Sequence, residues 1–224
     1  MAKLTQNKFL LLFLLCNLCT YCLHAQLGND DDERTFYAGL EAGGNFSQVD
    51  GDNFAGYHKA GLNAGAIIYA KLSNQLAASM EILFAQKGSR ASQTQVPRMA
   101  NDSNTIITDY RIRLNYAEVP ILLNYFDHRK NNFGLGLAYA RLVGSKETYR
   151  DGQGNTYESD AKLYPFKKSE LSFVLNGAAH IWKGFFLNLR FQYSLAPIRL
   201  NYNSITGIRP QYSNIWTTRL VYIF

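Results

Sequence analysis

Five charged residues stand where their neighbours alternate strictly between apolar and polar: Glu41, Glu81, Glu118, Arg190 and Arg219. Paired carboxylates can do general acid–base work, and a carboxylate held by a guanidinium can instead be a buried structural ion pair. Which role applies depends on whether a substrate can reach them. His58, His128 and His180 are scattered along the chain, so no shared metal site is expected, and no spacing calls for a cofactor. The cysteines are Cys16, Cys19 and Cys22, which leaves everything downstream without disulfide or thiolate chemistry. Phosphate loops, repeats and nucleic-acid signatures are absent as well.

The elements that must position these residues read as strands. In "FFLNLRFQYSL", Phe185, Leu187, Leu189, Phe191, Tyr193 and Leu195 share one parity, and Asn188, Arg190, Gln192 and Ser194 share the other. Period two places the two sets on opposite faces. The pattern recurs and predicts eight strands, at 36–47, 59–71, 75–87, 108–126, 132–143, 169–182, 185–196 and 213–224. Their connections alternate between tight turns, at 73–74, 127–131 and 183–184, and long linkers, at 48–58, 88–107, 144–168 and 197–212. A soluble sandwich has no reason to sort its loops this way, whereas an outer-membrane barrel has short periplasmic turns and long external loops. The predicted fold is therefore all-β: an eight-stranded antiparallel transmembrane β-barrel of the outer-membrane type, with its apolar face toward lipid.

The first residues agree with that compartment. Lys3 and Lys8 precede "FLLLFLLCNLC", an apolar run short for a membrane span and flanked like a secretory signal. Cleavage after Ala25 gives three segments: a signal peptide at 1–25, a linker at 26–35 containing "DDDE", and a barrel domain at 36–224. The formal net charge of +6 falls to +4 with loss of the two lysines, a modest excess with no nucleic-acid pattern.

Counting along each strand from its periplasmic end puts Glu41, Glu81, Arg190 and Arg219 five residues in, and Glu118 seven, all with inward parity. At ~3.3 Å per residue these lie near mid-membrane. Charges in a dry lumen are tolerable when paired and hydrogen-bonded. The expectation is one buried network of these five that blocks the lumen, with no catalytic role. One strand breaks the pattern. In "DYRIRLNYAEVPILLNY" the apolar set moves from Tyr110, Ile112 and Leu114 to Ala117, Val119, Ile121 and Leu123. Either a bulge near Asn115–Tyr116 restores the facing, or the strand's upper half projects beyond the membrane. Pro120 must interrupt one ladder hydrogen bond there.

Three passages, "GLNAGAIIYAKLSNQLAASMEILFAQKGS", "LNYAEVPILLNYF" and "EAGGNFSQVDG", resemble the PorT-like family of outer-membrane β-barrels, with Gln86, Lys87 and Gly88 in one motif and Tyr116, Pro120, Leu122 and Leu123 in another. The resemblance implies the barrel fold and a role as an accessory of protein secretion, with secretion-system proteins as partners. The terminal "WTTRLVYIF", with Trp216, Leu220, Tyr222 and Phe224 on one face, is similar to the signal read by the outer-membrane insertion machinery. Arg90, Arg98, Arg111, Arg113, Arg141, Lys146, Lys167, Lys168, Arg199 and Arg209 offer loop cations to lipopolysaccharide phosphates. The expected function is thus structural or interactive, within the cell outer membrane. Two alternatives compete with it. A lipid-modifying enzyme would need His58 with a loop serine, and a narrow pore would need an open lumen.

Overall fold

Side chains that alternate in polarity can all meet a matching environment when they alternate in direction, and that is the conformation these stretches adopt. The computed structural model describes residues 34–52, 54, 56–91, 106–159, 165–200 and 210–224. The chain divides into Met1–Arg34 and Thr35–Phe224, and all the strands belong to the second unit. The expected signal peptide lies outside the described residues, as does most of the linker. The strands are β1 (Phe36–Asp50), β2 (Lys59–Lys71), β3 (Leu76–Arg90), β4 (Ile107–Phe126), β5 (Asn132–Asp151), β6 (Thr156–Glu158), β7 (Ser169–Trp182), β8 (Phe185–Ser194) and β9 (Tyr212–Ile223). Every pairing is antiparallel. Neighbours in sequence pair from β1 to β5 and from β7 to β9, β5 pairs with β7, and β9 returns to β1. These eight strands form a closed wall, which removes the free edges of an open sheet. The ninth, β6, was not foreseen. It pairs with Thr148, Tyr149 and Arg150 at the far end of β5.

Two turns share one design. In "DHRKN", Asp127 Oδ1 accepts from the Arg129 and Asn131 backbone N–H groups, and Asn131 Nδ2 donates to Oδ2. In "DGQGN", Asp151 repeats this with Gln153 and Asn155. The first joins β4 to β5 at the short-turn end and the second joins β5 to β6 at the long-loop end. The Asn131 side chain, followed by the backbone donors, holds the Asp127 carboxyl below its ordinary range.

The outward face carries an apolar belt, including Ile68, Met80, Ile82, Ile121, Leu123, Leu135, Leu137, Leu187, Leu189 and Leu220, all exposed. Aromatic rings mark its limits. At the short-turn end Trp182 stacks on Phe185, and Phe185, Tyr222 and Phe224 follow in tilted contacts, while Phe191 with Trp216 and Tyr193 with Tyr212 pair higher up. The eight steps from Phe185 to Tyr193 span ~26 Å along the strand, close to the height of a membrane belt once tilt is allowed for.

Along β4 the even-numbered side chains face inward from Tyr110 to Asn124 without a break. The bulge expected in that strand is instead on its partner. Asn115 pairs with Gly144 and Tyr116 with Leu142, which leaves Val143 of β5 as the extra residue. It reverses the parity of β5, so that Ala138 and Ala140 point inward below it and Glu147 above it. What changes along β4 is its surroundings, as the second expectation held. In its lower half the outward residues are apolar and meet the belt. In its upper half the inward residues are apolar: Tyr110, Ile112, Leu114 and Tyr116 pack with Val49, Phe54, Phe166 and Ile198 into a cap. Above the belt the barrel is thus built like a soluble protein. Strands β4 and β5 run 20 residues each, twice what a crossing needs, and project as a long hairpin.

Pro120 has a definite place. The β3–β4 ladder breaks between the pairs Met80↔Ile121 and Leu83↔Glu118, whereas the β4–β5 ladder continues through Pro120↔Ala138. The missing N–H falls in that break, opposite Glu81.

Candidate functional site

Four of the five predicted charges meet in the lumen. Arg190 Nη1 donates to Glu81 Oε2 at 2.8 Å, and its Nη2 reaches the other carboxylate oxygen. Arg219 Nη1 lies 3.0 Å from Glu41 Oε1 and 3.3 Å from Glu81 Oε2. The register places Arg219 opposite Gly43 on β1, where a side chain would collide with the β9 backbone. Three asparagines complete the layer. Asn188 Oδ1 accepts from Arg219, Asn176 Oδ1 accepts from Arg190 and Asn188, and Asn63 Oδ1 accepts from Arg219. Two carboxylates thus face two guanidiniums, with the remaining donors satisfied by amides, which is the condition for tolerating buried charge.

Glu118 is not in this layer, a correction to the single network expected. Two residues higher on its strand than the others, it meets Lys87 Nζ at 2.7 Å. Lys87 also lies 3.1 Å from Glu170 Oε1, with the Tyr116 ring 5.0 Å away. Ser172 and Ser213 donate to Glu170. A third pairing lies above: Arg199 Nη2 donates to Glu147 Oε2 at 2.7 Å, and the Arg199 guanidinium stacks over Phe166 at 3.5 Å. Tyr110 donates its hydroxyl to the same carboxylate. The lumen therefore holds two charge layers and an apolar cap with an ion pair inside it. A further apolar cluster of Ile67, Tyr69, Ala77 and Val221 lies at the short-turn end. Arg190, Arg199, Arg219 and Lys87 are all essentially without solvent exposure.

The buried, paired positions of Lys87, Glu170, Glu147 and Arg199 were not read from the sequence. Lys87 shares the parity of Glu81 and could have been found from it. Glu147 lies beyond the bulge that hides its parity. Arg199 was expected to offer its charge outward; it is buried instead, because Glu147 and Phe166 give it an inward partner.

The other predicted residues scatter. Trp216, Leu220, Tyr222 and Phe224 all face outward on the belt. His128 lies in the exposed "DHRKN" turn, and His180 Nε2 lies 2.6 Å from the Lys183 carbonyl at the short-turn rim. His58 stands at the opposite end of the barrel, so the histidines do not converge. Among the described residues, no group of three His, Cys, Asp or Glu side chains is placed to hold a metal ion. Of the loop cations, Lys146 pairs with Glu158 at 2.8 Å and Arg141 donates to the Ser169 hydroxyl. Arg98 and Arg209 lie outside the described residues. Arg90, Arg111 and Arg113 share one cleft with His58.

A closed antiparallel wall with an apolar exterior and a charged, side-chain-filled interior is the inverse of a soluble protein. The family whose model matches residues 24–199 is described as outer membrane protein beta-barrel domain. The chain belongs to this family. Its outward belt is accordingly a lipid surface, and the outer membrane is where this barrel resides. Among solved structures, the Ail protein of Yersinia pestis, in complex with the heparin analogue sucrose octasulfate, is 10% identical. The match covers 85% of this chain and 100% of that one, with a TM-score of 0.46. Neisserial surface protein A is 11% identical, with 85% and 98% covered and a TM-score of 0.40. A search of curated proteins gives no match. As an outer-membrane barrel the molecule has its short turns on the periplasmic side and its long loops, with the β4–β5–β6 projection, outside.

Proposed function

We propose that this barrel is a closed, non-catalytic interaction protein of the cell envelope that acts through its external end. The observation that carries this is the lumen. Its charges are paired with one another in stacked layers, so no permeant or substrate has a route between them, while the wall rises well past the belt on the outer side. The sequence resemblance to PorT-like barrels supports the more specific role of a secretion accessory, with secretion-system proteins as partners. Lipopolysaccharide is the partner its outward cations fit. The aromatic face of β9 from Trp216 onward, with Phe224 just after the strand, is the surface offered to the insertion machinery.

Planar-bilayer recording of the purified protein tests the closed state, and no steady conductance is expected. Stable single channels would overturn it. Deletion of the gene with proteomics of the cell surface tests the secretion role. Cargo with C-terminal sorting domains should disappear from the surface, and normal export would remove the secretion role while leaving the closed barrel intact.

A further inference from the structure

Strands β2 and β3 separate before either one ends. Their ladder stops at Asn63↔Ala85, although β2 continues to Lys59 along β1 and β3 continues to Arg90 along β4. Side chains replace the ladder across the seam. Gln86 Oε1 accepts from the Leu62 backbone N–H at 3.2 Å, and Asn45 Nδ2 donates to the Gln86 carbonyl at 3.0 Å. Gly88, with φ +136°, takes β3 through a backbone conformation closed to most residues, and a Cβ there would strike the Ile112 carbonyl. The seam opens into a cleft of about 250 Å³ at the outer end of the wall.

Its lining is cationic. Lys59 comes from β2, Arg90 from β3, and Arg111 and Arg113 from β4, with His58 at the edge; Lys87 also lines it but is already paired with Glu118 and Glu170, which leaves four cations to count. Arg90 and Arg111 are register partners, and Arg113 lies one outward position further along β4. Among the described residues one carboxylate answers these four charges: Asp109 Oδ2, at 3.8 Å from Arg111 Nη2. Lys59 Nζ is satisfied by the Ala60 carbonyl, and the Nε of Arg111 is buried with no hydrogen-bond partner. A surplus of convergent guanidiniums with an unmet donor is the arrangement that receives phosphate bidentately. Position chooses the carrier of that phosphate. Leu62 and Phe84, exposed members of the lipid belt, lie immediately below the cleft, so it opens at the level of the outer-leaflet headgroups.

We propose that the seam between β2 and β3 is a binding site for the phosphate of a phosphorylated outer-leaflet lipid, held by Arg90, Arg111 and Arg113 with Lys59 behind them. The proposal rests on the reading that the barrel acts through its external end, and it assigns one patch and one ligand chemistry there.

The test uses full-length barrel purified in detergent, with bisphosphorylated lipid A, dephosphorylated lipid A and inorganic pyrophosphate as probes. Retained lipid is counted by native mass spectrometry, and pyrophosphate affinity is measured by calorimetry. Wild type should retain lipid A. The R90Q/R111Q/R113Q variant, and wild type offered dephosphorylated lipid, should each bind at least tenfold more weakly. Arg129→Gln, an exposed cation in the periplasmic turn, should bind as wild type. Equal retention by the triple variant would overturn the site. Equal loss with Arg129→Gln would reduce it to non-specific charge, and pyrophosphate binding as tightly as lipid A would replace the headgroup with a soluble anion. Should the triple variant lose its heat-modifiable folded form, the single variant Arg113→Gln, at an exposed position, decides the matter by the same comparison. Conductance recorded on the same protein is independent of these outcomes, so failure of this site and failure of the closed barrel are distinguishable.

Discussion

Glu81 is the hinge of the lower charge layer, since both Arg190 and Arg219 contact it. Removing one cation leaves a carboxylate in the lumen with less than it needs, and the cost of an uncompensated buried charge is about 3–5 kcal/mol. Arg190→Met should therefore destabilise the barrel by about that amount, read as a lowered urea midpoint in detergent. Adding Glu81→Leu should restore part of it, because Arg219 and Glu41 then remain as a one-to-one pair. No recovery in the double variant would mean that lost hydrogen bonds such as Arg190–Asn176, and not the stranded charge, carry the cost. Asp52 is a different case, buried at the base of the first external loop beneath the Phe54 backbone N–H donor. Burial pushes its carboxyl from 3.8 up to about 7. Between pH 4 and 7 the unfolded chain has lost this proton and the folded one has kept it. The unfolded state then binds fewer protons, so stability falls as pH rises through this window and levels off above 7. Asp52→Asn should remove that slope and be the more stable protein at pH 8. The difference between variant and wild-type midpoints at pH 4.5 and pH 8 checks this, and an equal difference at both would refute it.

At the scale of elements, the outward parity of β5 has two meanings on either side of Val143. Below it Leu137 meets lipid, and above it Lys146 meets water beside Glu158. Leu137→Lys should cost about 2–4 kcal/mol and slow assembly into vesicles, as a charge on the lipid face does. Lys146→Leu should stay within about 1 kcal/mol, because its ion pair is exposed. Comparable costs at the two sites would place both in the same environment. This change of surroundings also explains what the sequence reading could and could not reach. The strand starts at Lys59, Asn132, Ser169 and Phe185 were legible, since alternation with a tight turn or a charged flank marks them without reference to solvent. The end of β5 was not: alternation fails at Val143, and a bulge looks like a strand's end in one dimension. Glu118 had the correct parity and the correct height but was assigned the wrong partners, because counting from the turn ignores which strands carry them. Lys87 and Glu170 sit near strand ends, where a long polar side chain reads as a loop cation or a cap.

At the scale of the whole molecule, closure and sealing are separate properties. Closure comes from the β1–β9 ladder, which runs from Gly39↔Ile223 to Asp50↔Tyr212 and leaves no edge. Sealing comes from the stacked contents of the lumen: the lower layer around Glu81, the upper layer around Lys87, and the apolar cap of Tyr110, Ile112, Leu114 and their neighbours. Each occupies a different height, so in the closed barrel proposed above each blocks on its own. Hollowing one layer should then leave the barrel shut. R190A/R219A with E41A/E81A removes the lower layer's charges together, which avoids stranding any of them. In planar bilayers this variant should conduct no more steadily than wild type. Adding L114A and Y110A to thin the cap, together with K87A/E118A/E170A, which removes all three upper-layer charges, should produce steady openings. Channels from the lower-layer variant alone would show that one layer carries the whole seal and that the stack above it is permeable to ions.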